Sequence, residues 1–481
     1  MPQLIIACGS LAFRTEGPDS DMGALHELSH TAGIPLDGSP VSAPGASAAP
    51  DNGRGGRSLV EAIGGAMQAF TSRTFGSLAA PDYRMLWLGL MGTWMAMQLQ
   101  QTARGYLAYQ LTASPLALGL VTLSMGIPRM VLSPLGGVLA DRMPKRDLVA
   151  LTQVANAVIA FAAVALIQTG WINITWLIIL GFIQGTAFAL NMPVRQAYIP
   201  ETVGTGPGMG DRLANAIALN NAGMNMMRIF GPSIAGVLIG LAFFGVKGVF
   251  ALIALFYLAA AFTVSHIKVR GMPVSGKKRA VGKDLATGWR EIAKNHKVAA
   301  LMSLGFIPLA IGMPYENLMP VFAVSILKTG ALGLGELLTT TGVGGLIGTL
   351  LIAYLAKYPR KTTLQLMFGV VFGASLISFA LFARMHWLLL VYPFVFLAGL
   401  AGGAYMAINS TLIMTNIDPA VYGRVMGVYM VIQSIRPVSV LPVSALAEKF
   451  GTDVVVAGAG AVVMLFVLGV ATLYPEYRQI R

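Results

Sequence analysis

From Met85 onward, apolar stretches long enough to cross about 30 Å of hydrocarbon follow one another with short breaks. Hydrocarbon offers no partner to an exposed N–H or C=O, so each stretch must be a helix that satisfies its own backbone. Spans 1 to 6 fall at about 85–110, 116–140, 147–169, 172–194, 214–241 and 246–265, and spans 7 to 12 at about 299–327, 333–356, 363–382, 387–414, 425–447 and 454–473. The chain is 56% hydrophobic and 11% charged, whereas a soluble domain carries about 25% charged residues. The expectation is an all-α integral membrane protein with twelve transmembrane helices in two pseudo-symmetric six-helix bundles, 81–265 and 299–475. A linker at 266–298 joins them, and a short tail at 476–481 follows.

The net charge of +13 does not point to nucleic acid, because the basic residues sit in short clusters between the spans. Loops 2–3, 4–5, 6–7, 8–9 and 10–11 carry eighteen Lys or Arg, and the opposite loops carry four: Lys247, Lys328, Arg384 and Lys449. Basic loops stay on the cytoplasmic side, so a multi-pass plasma (inner) membrane protein with both termini in the cytoplasm is expected. In the linker, Leu285, Trp289 and Ile292 recur at helical spacing, which predicts an interfacial helix.

Residues 1–80 form an extension of different character. Asp19 to Arg57 is rich in Gly, Ser, Ala and Pro and is expected to be mostly disordered. Ser58-Leu59-Val60-Glu61 fits a capping box ahead of Ile63, Met67 and Phe70, which predicts an amphipathic surface helix at 58–75. Met67 is also a candidate translation start. The single cysteine, Cys8, excludes intrachain disulfides and CxxC sites, and the five histidines are not expected to form a metal site.

The two halves resemble each other. Leu139-Ala140-Asp141-Arg142-Met143-Pro144-Lys145-Arg146 has a shorter counterpart in Leu355-Ala356-Lys357-Tyr358-Pro359-Arg360-Lys361. Ala189-Leu190-Asn191 at the end of span 4 matches Ala407-Ile408-Asn409 in span 10, and each leads through a Pro-containing turn to Arg212 or Arg424. Duplicated halves are what a transporter with a site at the repeat interface carries.

Gly137 through Arg146 resembles the loop 2–3 signature of the major facilitator superfamily, Gly-x-x-x-Asp-Arg-x-Gly-Arg-Arg/Lys, with Pro144 replacing the usual Gly. The resemblance covers about residues 80–475. It implies that Asp141 meets the opposing half at the cytoplasmic side, and that Arg142, Lys145 and Arg146 hold an inner gate. Tyr109 to Gly119, Pro128-Arg129, Ser133 to Gly137 and Arg195-Gln196-Ala197 look like the branch containing the enterobactin exporter and macrolide-efflux proteins. That branch implies export. In span 5, Gly231-Pro232-Ser233-Ile234-Ala235-Gly236 resembles the end of the family's antiporter signature, with Met227 and Ala235 where the family has glycine. Gly181 stands where many proton antiporters of the family carry an Arg ahead of Gln184-Gly185.

Charges inside spans are functional candidates because hydrocarbon penalises them. They are Glu316 in Met313-Pro314-Tyr315-Glu316-Asn317, Arg104, Arg129, Arg228 and Arg436. In the family, spans 1, 4, 7 and 10 line the cavity, which implies that Glu316 and Arg104 face it from opposite halves. Glu316 is the expected proton-coupling group, flanked by Tyr315 and Asn317. Arg129, Arg228 and Arg436 read as gate or conformational residues, with Gly137, Gly231 and Pro232. Neutral candidates are Gln98 and Gln101 on span 1, Gln184 and Asn191 on span 4, and Tyr405 and Asn409 on span 10. A membrane-embedded enzyme would need a cluster such as HExxH or GxSxG at the bilayer face; neither motif is expected in the chain, so an enzyme is not expected. No cofactor or metal is expected either. Partners are a small hydrophobic or amphipathic substrate (drug- or siderophore-like), H⁺ and the lipid bilayer, with the monomer as the working unit. Uptake or lipid flipping on the same fold, or a non-transporting sensor, are the alternatives to export.

Overall fold

The computed structural model describes residues 76–140, 142–204, 209–271, 289–290, 292–293, 296–417 and 422–473. The extension up to residue 75 with its expected surface helix, Asp141, most of the linker and the tail lie outside these residues.

The described chain is helical and contains no strand. The first bundle comprises α1 (Pro81–Thr112), α2 (Pro115–Ala140), α3 (Lys145–Gln168), α4 (Ile174–Val203), α5 (Met209–Gly240) and α6 (Gly245–Ser265). The second comprises α7 (Val298–Ile326), α8 (Gly330–Tyr354), α9 (Lys361–Arg384), α10 (Leu388–Asn416), α11 (Val425–Phe450) and α12 (Thr452–Leu473). Eleven helices among the described residues are apolar and long enough to cross a membrane. The twelfth, α1, runs for 32 residues but carries Asp82, Arg84, Arg104 and four glutamines along its length, which lowers its hydropathy.

Three helices depart from the sequence reading, each at a proline. Helix α4 continues past the expected end near residue 194 to Val203, through Pro193 and Pro200. The ring of Pro193 is accommodated because Gly136 on α2 leaves room for it. Helix α7 is interrupted rather than continuous, with π-helical turns at Pro308–Gly312 and Phe322–Ile326 on either side of Tyr315–Val321. Helix α11 breaks between Ser434 and Arg436, just before Pro437, which has no N–H to continue the ladder.

The internal repeat is visible in the packing. Helix α2 packs on α4 as α8 packs on α10, and α3 packs on α6 as α9 packs on α12. Lipid is as apolar as leucine, so membrane helices associate through close backbone approach at small residues. Gly344 and Gly348 on α8 face the backbone of α10 at Phe396 and Leu400, and Gly399 and Gly403 return the contact. Gly373 and Gly460 join α9 to α12 in the same way.

The bundles meet each other at the end away from the basic loops. There Tyr109 Oη lies 2.6 Å from Ser325 Oγ, and Glu448 accepts from Ser114 Oγ at 2.8 Å and Leu116 N at 3.2 Å. Gly119 and Gly126 on α2 face Ser444 and Pro437 on α11, and Gly236 on α5 faces Gly335 on α8. The half of α11 nearer the basic loops scarcely touches α2, and Ile127, Met130, Val131 and Leu135 on α2 are exposed. The bundles therefore separate toward the basic loops.

Gly348→Leu drives a side chain into the α10 backbone, and a loss of about 1–3 kcal/mol of stability is expected. Gly458→Ala, where an added Cβ meets nothing within 4 Å, is expected to stay within about 0.5 kcal/mol of the parent. Thermal unfolding of the purified proteins in detergent checks both.

Candidate functional site

The prolines of α7 set the position of Glu316. Pro308, Pro314 and Pro320 each remove a backbone donor; the short segment Tyr315–Val321 starts directly after Pro314 and contains Pro320. Glu316 is in the first turn of that segment, its side chain 12% exposed. Its Oε2 accepts from Arg436 Nη2 at 2.5 Å, and its Oε1 accepts from Arg228 Nη2 at 3.3 Å. Arg436 is on α11 of the same bundle, and Arg228 is on α5 of the other. One carboxylate thus ties both bundles together through charge-assisted bonds.

Arg104 on α1 is 4% exposed and has neutral partners. It donates to Gln184 Oε1, and its Nη1 lies 2.6 Å from Met125 Sδ. Gln184 in turn donates to Gln100 Oε1, which also accepts from Tyr257 Oη at 3.2 Å. Arg104 Nε is buried without a partner among the described residues.

Between the bundles is a cavity of about 260 Å³. Its polar lining includes Gln101, Arg104, Arg129, Gln184, Glu316, Asn317 and Arg436, and its apolar lining includes Leu118, Val121, Phe188, Leu334, Leu338 and Val440. A smaller adjoining recess is lined by Gln98, Gln101, Arg228, Pro232, Glu316 and Arg436. Arg129 has no ion-pair or hydrogen-bond partner among the described residues.

A solvent-facing cleft between two six-helix repeats is carrier architecture. Residues 72–479 match the model of a family described as transmembrane secretion effector, a major facilitator family. The chain belongs to that family. It is a multi-pass membrane transporter of small molecules, not an enzyme. The staphyloferrin A transporter of Staphylococcus aureus (strain NCTC 8325 / PS 47) is 23% identical to this transporter over 69% of this chain and 81% of its own length. Macrolide efflux protein A of Streptococcus pyogenes is 20% identical over 76% of this chain and 90% of its own. The multidrug efflux pump Tap of Mycolicibacterium fortuitum is 22% identical over 67% and 78%. Among solved structures, a bacterial homologue of the lysosomal transporter Spinster, inward-facing and occupied, superposes with a TM-score of 0.64 at 13% identity, covering 84% of this chain and 97% of that one. An inward-facing bacterial homologue of the iron transporter ferroportin gives 0.62 at 14% identity, covering 82% and 99%.

The remaining candidates in this transporter sit away from the cavity. Asn191 is buried and donates to Thr152 Oγ1 at 2.6 Å. Tyr405 Oη donates to Leu304 O at 2.8 Å and Asn409 to Leu301 O at 2.9 Å, tying α10 to α7 inside the second bundle. Tyr315 is buried edge-on against Phe372. Gly231 lets α5 approach Gln98 on α1. The basic residues of loop 2–3 engage their own bundle: Lys145 pairs with Glu201 at 2.7 Å, and Arg146 pairs with Asp147 at 2.9 Å and donates to Ile267 O at 3.1 Å. Arg142 is exposed, and Gly137 lies in the last turns of α2.

Arg195, Gln100 and Tyr257 belong to the same polar interior and were absent from the sequence candidates. Ending span 4 near residue 194 placed Arg195 in a loop, whereas it is 3% exposed with its guanidinium 4.2 Å from the Trp94 ring centroid. Gln100, four residues before Arg104 and so on the same helix face, was the signal available for that network. The histidines also need a correction: His26-Glu27-Leu28-Ser29-His30 does have the HExxH spacing of a zinc-binding helix. It lies outside the described residues, among which no group of His, Cys, Asp or Glu suits a metal ion.

Gln184→Leu strips Arg104 of its acceptor inside the bundle, and about 1–3 kcal/mol of stability is expected to be lost. Gln184→Glu keeps an acceptor and adds a counter-charge, and is expected to unfold at or above the parent temperature. Thermal unfolding in detergent decides between these outcomes.

Proposed function

We propose that the chain exports a small hydrophobic or amphipathic molecule, drug- or siderophore-like, by alternating access of its two bundles in exchange for H⁺. The cross-bundle pairing of Glu316 with Arg228 carries this reading. A proton on Glu316 removes the charge that holds Arg228 and Arg436, and so loosens the only carboxylate link at the cavity wall among the described residues. Proton binding and bundle movement are thereby connected through one side chain.

Direction is supported by two further observations. Efflux proteins are among the relatives, and the basic loops mark the cytoplasmic side by the positive-inside rule. With that orientation both termini are cytoplasmic, the protein sits in the plasma membrane, and the present conformation is open inward with the outer end closed. The loop 2–3 basic residues then rest on their own bundle in this state and become available to an inner gate when the cytoplasmic side closes. A single chain holds both halves of the cavity, so the monomer is the working unit.

The test is efflux of a fluorescent drug in inside-out vesicles with an imposed pH gradient, comparing the intact protein with Glu316→Gln. Gradient-driven transport is expected to fall at least about tenfold in the variant while its folding and substrate binding persist. Gradient-driven transport unchanged by the substitution would make Glu316 a purely structural tie.

A further inference from the structure

Charge is unevenly distributed in the cavity. Its lining holds three arginines, Arg104, Arg129 and Arg436, and one carboxylate, Glu316. Arg228 adds a further positive charge in the adjoining recess. Glu316 is already committed to Arg228 and Arg436 at 3.3 and 2.5 Å. Arg104 has only the neutral Gln184 and Met125, with its Nε unpaired, and Arg129 has no partner among the described residues. Behind this wall Arg195 is buried against Trp94, also without a carboxylate partner among the described residues.

A cation withdrawn from bulk water needs a counter-charge, and the described part of the chain supplies none for the buried Arg104, while Arg129 is exposed at the cavity wall and free to meet a ligand. Low-dielectric walls also focus the field of such groups into the space they enclose. We infer that the cargo supplies the missing charge: the cavity takes an amphipathic organic anion, with a carboxylate or similar headgroup set between Arg104 and Arg129 and an apolar body against Phe188, Leu334 and Val440. Guanidinium groups suit this role because their planar donors match the oxygens of a carboxylate. The inference rests on reading the cavity as the transport site, and it names the substrate class for that site.

The same headgroup chemistry is offered by a soluble carboxylate and by an anionic lipid. The experiment therefore uses purified full-length protein in detergent, titrated with dansylglycine (anionic), dansylglycinamide (neutral) and dansylcadaverine (cationic). Dansylglycine is expected to bind at least about tenfold tighter than either of the others. Arg129→Gln and Arg104→Gln are expected to bring that ratio toward one. Arg129→Gln keeps the test decisive where loss of the buried Arg104 impairs folding. Glu316→Gln removes the opposing charge and is expected to raise affinity for dansylglycine. Displacement by phosphatidylglycerol but not phosphatidylcholine assigns the site to a lipid anion, and lack of displacement assigns it to a soluble one. Dansylglycine binding no tighter than the other two probes, including no binding at all, overturns the inference, as does a preference that survives Arg129→Gln. These titrations use no gradient, so failure of proton-coupled export leaves their outcome unaffected and the two readings can fail separately.

Discussion

A charge in hydrocarbon must find a partner, and most of the interior of this transporter is arranged around that requirement. Glu316 satisfies two arginines at once, one from each bundle. The three prolines of α7 make this possible. They interrupt a helix that would otherwise run straight, and they bring the carboxylate to a point reachable from α5 and α11. Removing Glu316 would leave two guanidinium groups facing each other across the cleft. The tie is therefore both an attachment and a restraint on two mutually repelling groups.

Around that point the fold relies on absence of side chains. Gly236 and Gly335 let α5 and α8 meet at the closed end, and Gly119 and Gly126 let α2 meet α11 there. These contacts hold the two bundles together through backbone proximity and few polar bonds. Within each bundle the polar bonds are more numerous, as with the Arg104–Gln184–Gln100–Tyr257 chain. Each bundle is thus internally cross-linked, while the surface between bundles is smooth, which suits parts that move as units.

The fold was readable because hydrocarbon thickness and backbone satisfaction leave few options for twelve long apolar stretches. The site was readable only in part. Charges interrupting apolar runs drew attention to Glu316, Arg104, Arg129, Arg228 and Arg436, all of which line the cavity or its recess. Which charge meets which was not readable, because partner choice depends on helix rotation and on the breaks in α7 and α11. Polar neutrals gave the weakest signal: Asn191, Tyr405 and Asn409 bind neighbouring helices, and nothing in their spacing separates them from Gln101 or Asn317. Arg195 escaped because proline was taken as a helix end, although a membrane helix can continue through it when a glycine opposite makes room.

The uneven charge of the cavity has an electrical consequence. Arg104, Arg129 and Arg228 belong to the first bundle, and Arg436 and Glu316 to the second. A carrier that turns such a cavity from one side of the membrane to the other shifts fixed charge through part of the membrane field. Each elementary charge carried across the whole field feels about 2.3 kcal/mol per 100 mV. The resting orientation of the empty protein would then depend on voltage, and an anion seated between the arginines would cancel part of that dependence. Loaded and empty forms would respond differently to the same potential, so the membrane voltage itself would help decide which of them turns over.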